Sequence, residues 1–260
     1  MYTPHAQPRT VAVFTYKGGT GKTATTYSLG SALARAGSRV LLLDLDAQCN
    51  LSGDWLGATE DPSLWHVVQG AATLPAAVQS TSTSGLDIIA AHPEMTGAEG
   101  TLRAQRGGET WLARQLRTLP HRWDWILLDC APGLGILTQG ALAAAEWVLI
   151  PCVPRVLESG GIVQALGHVE ETRELNLNPS LAVLGVLPVM VDRRTALTGE
   201  ILEQMAATLG ENLLETRVPI DTRLAEAPGH RKSIHQYAPR SRSALAYTAL
   251  AQEVSHRVKA

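Results

Sequence analysis

The sequence predicts an α/β fold: a mostly parallel, twisted sheet with helices on both faces, in three layers. Three observations carry that prediction. Apolar runs alternate with helix-period patterns from end to end, the first apolar run breaks into small residues and re-enters as a helix, and two later apolar runs end in aspartate. No internal repeat and no tract rich in Pro, Ser or charge divides the chain. Residues 9–260 therefore read as one domain behind a flexible N-terminus at 1–8.

The first strand is expected at 10–15, around Val11-Ala12-Val13-Phe14, and the first helix at 22–36, closed by Gly37. Between them lies Tyr16-Lys17-Gly18-Gly19-Thr20-Gly21-Lys22-Thr23. Such a strand-to-helix turn aims successive backbone N–H groups and the positive helix end at one point, where a polyphosphate is stabilised. Lys22 is placed to meet the terminal phosphates, and the Thr23 hydroxyl to ligate magnesium. The usual pattern G-x-x-x-x-G-K-[ST] has glycine where this chain has Tyr16. In exchange the loop gains Lys17 at its mouth, too early to duplicate Lys22 and free to point toward phosphates held by another subunit. A Gly-rich turn with two solvated lysines is the plain alternative, which the flanking strand and helix disfavour.

Further strands are expected at 39–45, 86–90, 124–129, 147–152, 181–189 and 213–218, each an apolar run bounded by polar or turn residues. Helices are expected at 62–70, 109–119, 134–145, 157–176, 196–209 and 241–258. In open parallel sheets ligands bind at the carboxyl ends of strands. Two carboxylate motifs fall there: Leu41-Leu42-Leu43-Asp44-Leu45-Asp46 and Trp125-Ile126-Leu127-Leu128-Asp129. An aspartate delivered to a phosphate loop by an apolar strand holds magnesium directly or through its water, and Asp129 fits that role. If the backbone stays extended, Asp44 and Asp46 point the same way, one to steady magnesium's waters and the other to orient an attacking water.

Bulk properties narrow the class. Hydrophobic residues at 45% and charged residues at 18% exclude extensive disorder. No apolar run nears the roughly 20 residues needed to span a bilayer, and no signal pattern opens the chain, so a cytoplasmic protein is expected. Cys49, Cys130 and Cys152 lack metal-ligand spacing, and the histidines show no ligand pair. The net charge of −2 hides an asymmetry, because residues 217–260 hold eight basic and three acidic side chains. Arg217, Arg223, Arg231, Lys232, Arg240 and Arg242 form a positive surface if the fold gathers them, with His230 and His235 adding charge only below about pH 6.5. The six tryptophans are spread without a common motif and read as packing anchors.

With these residues in place, the chain resembles a known family. Lys17-Gly18-Gly19-Thr20-Gly21-Lys22-Thr23, Asp44-Leu45-Asp46-Ala47-Gln48 and Asp129-Cys130-Ala131-Pro132 look like the deviant Walker A ATPases of the ParA/MinD superfamily, which have the P-loop NTPase fold. Ile150-Pro151, Val189-Met190-Val191-Asp192-Arg193-Arg194-Thr195, Arg223-Leu224-Ala225-Glu226-Ala227-Pro228 and Tyr237-Ala238-Pro239-Arg240-Ser241 narrow the resemblance to the ParA/Soj chromosome and plasmid partition branch.

That resemblance implies an ATPase using ATP and magnesium, with Lys17, Lys22 and Asp46 catalytic and residues 17–24, Ala24 included, around the phosphates. Lys17 would cross to the nucleotide of a partner in an ATP-induced homodimer. Asp46 would position the hydrolytic water, and Thr23, Asp44 and Asp129 would serve magnesium. Adenine contacts fall on Pro219 and Asp221, where the family's Pro-x-Asn element has Asn in place of this Asp. Partition ATPases bind non-specific double-stranded DNA as ATP dimers, which puts this protein on the nucleoid, and the implicated arginines fall on Arg194 and Arg223. A ParB-like centromere-binding protein would stimulate slow hydrolysis. Tyr16, Ala24, Ala47 and Cys49 also depart from the family pattern. A MinD-type positioning ATPase, the alternative, needs a bulky amphipathic C-terminal helix, whereas residues 251–260 lack such a face, so no membrane partner is expected. An iron–sulfur electron carrier of the nitrogenase iron-protein type would need two suitably placed cysteines.

Overall fold

The computed structural model describes residues 7–58, 61–155, 159–192 and 194–259. Residues 1–6 of the expected flexible N-terminus, and Arg193 of the quoted motifs, lie outside the described residues. The strands are β1 (Arg9–Val13), β2 (Val40–Asp44), β3 (Val78–Ser80), β4 (Leu86–Ile89), β5 (Trp125–Asp129), β6 (Trp147–Cys152) and β7 (Ala182–Pro188). The helices are α1 (Lys22–Arg35), α2 (Leu64–Val68), α3 (Met95–Ala104), α4 (Trp111–Leu116), α5 (Ile136–Ala144), α6 (Ser159–Glu174), α7 (Ala196–Leu209), α8 (Thr222–Glu226), α9 (Ile234–Tyr237) and α10 (Arg242–Arg257).

One seven-stranded sheet runs β3-β4-β2-β5-β1-β6-β7, parallel except for β3 at the edge. Alternate side chains of its central strands feed two separate cores. Ala12, Leu41, Leu43, Ile126 and Leu128 face one layer, with Leu102, Leu112, Ile136, Leu142 and Val169. Val11, Val13, Val40, Leu42 and Leu127 face the other, with Leu29, Leu33, Tyr247, Leu250 and Val254 of α1 and α10. Strands covered on both faces read as unbroken apolar runs, which is why they were visible in the sequence. Helix α1 lies close on the sheet: a Cβ added at Gly30 would come within 2.9 Å of Leu42 Cδ2.

The order places β1 between β5 and β6, so the connections diverge on either side of it and open a crevice at the carboxyl edge. Register sets Val13 beside Asp129 and Asp129 beside Asp44. The phosphate loop and both strand-end aspartates therefore share one rim.

One expected strand is absent and two elements were not expected. Residues 213–218 form no strand: Leu213 makes a single bridge to Val186, and the Leu214 and Val218 amides donate to the Val186 and Pro188 carbonyls at 3.0 and 2.9 Å. Glu253 of α10 accepts the Glu215 and Thr216 amides at 2.7 and 3.0 Å, while the Arg217 guanidinium donates to the Leu214 and Thr216 carbonyls, so side chains take groups a ladder would need. Helix α3 was not expected, because Gly97 and Gly100 weaken its helical signal. Strand β3, three residues at an antiparallel edge, was also missed.

Candidate nucleotide site

The turn from β1 into α1 is built by glycine. Gly19 and Gly21 adopt φ of 72° and 74°, left-handed conformations that side chains rarely adopt, and Gly21 leads directly into α1. Added Cβ atoms at Gly18 and Gly19 would meet nothing within 4 Å, so this backbone faces open space. The Thr25 amide makes an early helical bond to the Gly21 carbonyl at 2.9 Å. Lys22 is buried and its ammonium donates to the Lys17 carbonyl at 2.9 Å. Burial lowers its pKa, and Asp129, Cys130 and Asp46 oppose that shift.

Asp44 and Asp129 are wholly buried neighbours across the β2–β5 ladder. Burial pushes both carboxyl groups upward, and their mutual repulsion adds to the effect at Asp129. Asp129 accepts hydrogen bonds from the Thr23 and Thr26 hydroxyls, the latter at 3.0 Å. Asp44 Oδ2 accepts the Ser52 hydroxyl at 2.6 Å and the Ser52 amide at 2.9 Å, while Oδ1 accepts the Asp46 amide at 3.1 Å. Asp44 and Asp46 do not share one extended strand. β2 ends at Asp44, and partly exposed Asp46 turns to accept the Gln48 amide at 3.0 Å.

The mouth of the loop docks on α6. Tyr16 stacks on His168 with ring centroids 5.9 Å apart, and the Tyr16 carbonyl accepts the Gly133 amide at 3.0 Å. The stem of Lys17 lies along Gly161, where an added Cβ would sit 3.5 Å from Lys17 Cδ. In this state, then, Lys17 follows a helix of its own chain instead of projecting outward, because the glycine leaves room for its methylenes. Pro219 pairs with Val191, whose neighbours Val189 and Met190 flank Gly21, so the 219–221 segment joins the same rim. Asp221 is committed to structure. Its Oδ1 caps α8 at the Arg223 amide, 3.1 Å away, and its Oδ2 accepts the Ser243 amide at 3.0 Å.

The donor set fits a magnesium-bound triphosphate. Open backbone in the loop, a buried ammonium and two adjacent carboxylates short of counter-charge offer N–H donors to phosphate and hard oxygen to a divalent cation. Among the described residues no cluster of three or more His, Cys, Asp or Glu could hold a metal by itself. Magnesium bound through one or two carboxylates plus substrate phosphates needs no such cluster.

The candidate DNA-facing arginines follow the rim segments 189–191 and 219–221 in the chain, and both are paired. The Arg194 guanidinium donates two hydrogen bonds to the Asp192 carboxylate at 2.9 and 2.8 Å, holding that carboxyl down to about 2. Arg223 lies 3.3 Å from Glu226, which Tyr237 also bonds at 2.8 Å. Their side chains remain 85% and 60% exposed, so phosphate can compete for them. Arg231, Lys232, Arg240 and Arg242 are exposed on the neighbouring turns, but His235 is buried and held neutral, so it adds no charge to that surface.

Sequence reasoning missed Thr26 and Ser52. Thr26 lies one helical turn after Thr23, a spacing that places both hydroxyls on one face of α1. Ser52 carries no such signal, since only the fold returns it to Asp44.

A family model described as an AAA domain matches residues 8–183. The chain is 40% identical over 254 residues to the chromosome-partitioning ATPase Soj of Thermus thermophilus, covering 98% of each protein. It is 34% identical over 253 residues to the chromosome partitioning protein ParA of Caulobacter vibrioides, covering 96% of this chain and 94% of that one. The crystal structure of cobyrinic acid a,c-diamide synthase from Mycobacterium smegmatis with bound ADP and magnesium superposes with a TM-score of 0.84 at 31% identity, covering 98% of this chain and 96% of that one.

Proposed function

The chain belongs to the ParA/Soj family of partition ATPases, and from that premise we propose that it is an ATP-driven switch: ATP closes a homodimer, the dimer holds non-specific double-stranded DNA, and hydrolysis releases it. The observation that carries this reading is the meeting of Lys22, the Thr23 and Thr26 hydroxyls with Asp129, and Asp44 at one rim of the sheet. Bound magnesium supplies positive charge beside the terminal phosphates.

Each residue then has a task. Amides of residues 18–24 cradle the phosphates, and Lys22 exchanges the Lys17 carbonyl for a phosphate oxygen. The Thr23 hydroxyl, Asp44 and Asp129 would hold magnesium, the carboxylates through its water. Asp46, at the turn beyond β2, orients the attacking water. Lys17 leaves the Gly161 groove to reach the partner's phosphates, which makes nucleotide occupancy and dimerisation one coupled equilibrium. Pro219 and Asp221 flank adenine, and Asp221 keeps acceptor capacity for its amino group beyond the two amides it caps.

In this reading Arg194 and Arg223 meet the phosphate backbone, and a ParB-like centromere-binding protein stimulates turnover on the nucleoid. DNA carries one negative charge per about 1.7 Å of helix axis, so pairing two basic surfaces in a dimer raises the number of phosphates met at once. A membrane role through the C-terminal helix has less support, because the apolar side of α10 is buried on α1. The test is DNA affinity measured with ATP, with ADP and without nucleotide across a salt series. Tight binding with ATP alone, weakening steeply with salt, is expected; equal binding in all three states would reject the switch.

A further inference from the structure

Ser52 sits where three parts of the rim converge. Its hydroxyl accepts the Ala91 amide at 2.9 Å, just beyond β4, and donates to Asp44 Oδ2 at 2.6 Å, while its own amide donates to the same oxygen at 2.9 Å. The residue is only 3% exposed. Because the Ala91 N–H can only donate, the single hydroxyl proton is committed to Asp44. A bond that short to a carboxylate is charge-assisted.

The backbone is shaped to deliver this contact. Ser52 lies in a π-helical segment, Asn50–Leu56, entered from Cys49 at φ 55° and left through Gly57 at φ 58°. π-Helical turns are rare and recur at functional sites. The segment is held at its far end as well: Trp55 packs edge-on against Tyr27 of α1, ring centroids 5.4 Å apart, and the Arg231 guanidinium lies over Gly57.

We propose that Ser52 is a positioning residue for the magnesium-side carboxylate: by occupying Oδ2 twice it fixes the Asp44 side chain and leaves Oδ1, which carries one amide bond, as the oxygen that receives a magnesium-bound water. The proposal rests on the nucleotide reading above. Both hydrogen bonds that Ser52 donates end on Asp44, so it acts through that carboxylate. Groups that orient metal-side ligands typically change metal affinity by roughly 10- to 100-fold when removed.

The test is a magnesium titration of the full chain with a fluorescent ATP analogue, for wild type, Ser52→Ala and Ser52→Cys, each repeated in EDTA and each checked by circular dichroism. Half-saturation should move to roughly 10- to 100-fold higher magnesium in both variants, with metal-free nucleotide affinity unchanged. The cysteine variant keeps nearly the same volume with a weak donor, so it decides the matter if the alanine variant does not fold. A folded variant with wild-type half-saturation would overturn the proposal, as would an equal loss of affinity in EDTA, which marks a merely structural role. Wild type with no magnesium dependence would instead sink the nucleotide reading itself.

Discussion

Two lysines five residues apart do different work because their surroundings differ. Lys22 is buried against its own loop, with Asp129 and Asp46 near enough to offset part of the cost of burial. A triphosphate would give that ammonium a stronger partner than the Lys17 carbonyl it now holds. A second buried base, His235, is shifted the same way by burial but has no carboxylate among the described residues to offset it. His235 donates from Nε2 to the Ala244 carbonyl at 3.1 Å, and its Nδ1 has no partner among the described residues. Protonation would bury a charge and an unpaired N–H, so its pKa falls from 6.5 to about 4. Between those values the unfolded chain binds more protons than the folded one. The resulting stability is full above about pH 6.5 and drains away as pH falls toward 4, a loss of about 2 kcal/mol already at pH 5. Asp44 and Asp129, raised by burial, shift stability the opposite way over the same range in both proteins, so on going from pH 7 to pH 5 urea unfolding should show wild type losing about 2 kcal/mol relative to His235→Gln.

Short elements near the C-terminus depend on single side chains. Asp221 holds the first turns of both α8 and α10, so Asp221→Ala should lower stability by about 1–2 kcal/mol, read as a lower melting temperature. Asp221→Asn keeps an oxygen acceptor and should lose less. Elements differed in how clearly the sequence announced them. β2 and β5 were plain because burial on both faces demands continuous apolar residues, and Gly37 marked the end of α1 by its φ of 94°. The stretch 213–218 has the apolar residues of a strand, but its Glu215 and Thr216 amides go to Glu253, thirty-seven or more positions away, which no local pattern reveals. Helix α3 hides its period behind two glycines.

For the molecule as a whole, the phosphate loop was legible because its residues are contiguous in sequence, and Asp44 and Asp129 because each ends an apolar strand, whereas Ser52 and Gly133 reach the rim only through the fold. The route of Lys17 along Gly161 was likewise invisible, since it depends on where α6 packs. The basic C-terminal surface gives the whole-molecule prediction. Each neutralised phosphate contributes about −0.9 to the slope of log affinity against log salt, so Arg223→Glu should both weaken ATP-dependent DNA binding and flatten that slope. The pair with Glu226 is exposed and screened by solvent, so structural loss should not mask the result.

The central claim is that one protomer's Lys17 completes the other's nucleotide site. Light scattering of wild type and Lys17→Ala, each saturated with magnesium and ATP and each with its nucleotide affinity measured in parallel, tests it most directly. The account predicts a wild-type dimer and a variant that still binds ATP but stays monomeric. A Lys17→Ala protein that dimerises with ATP as wild type does would contradict it.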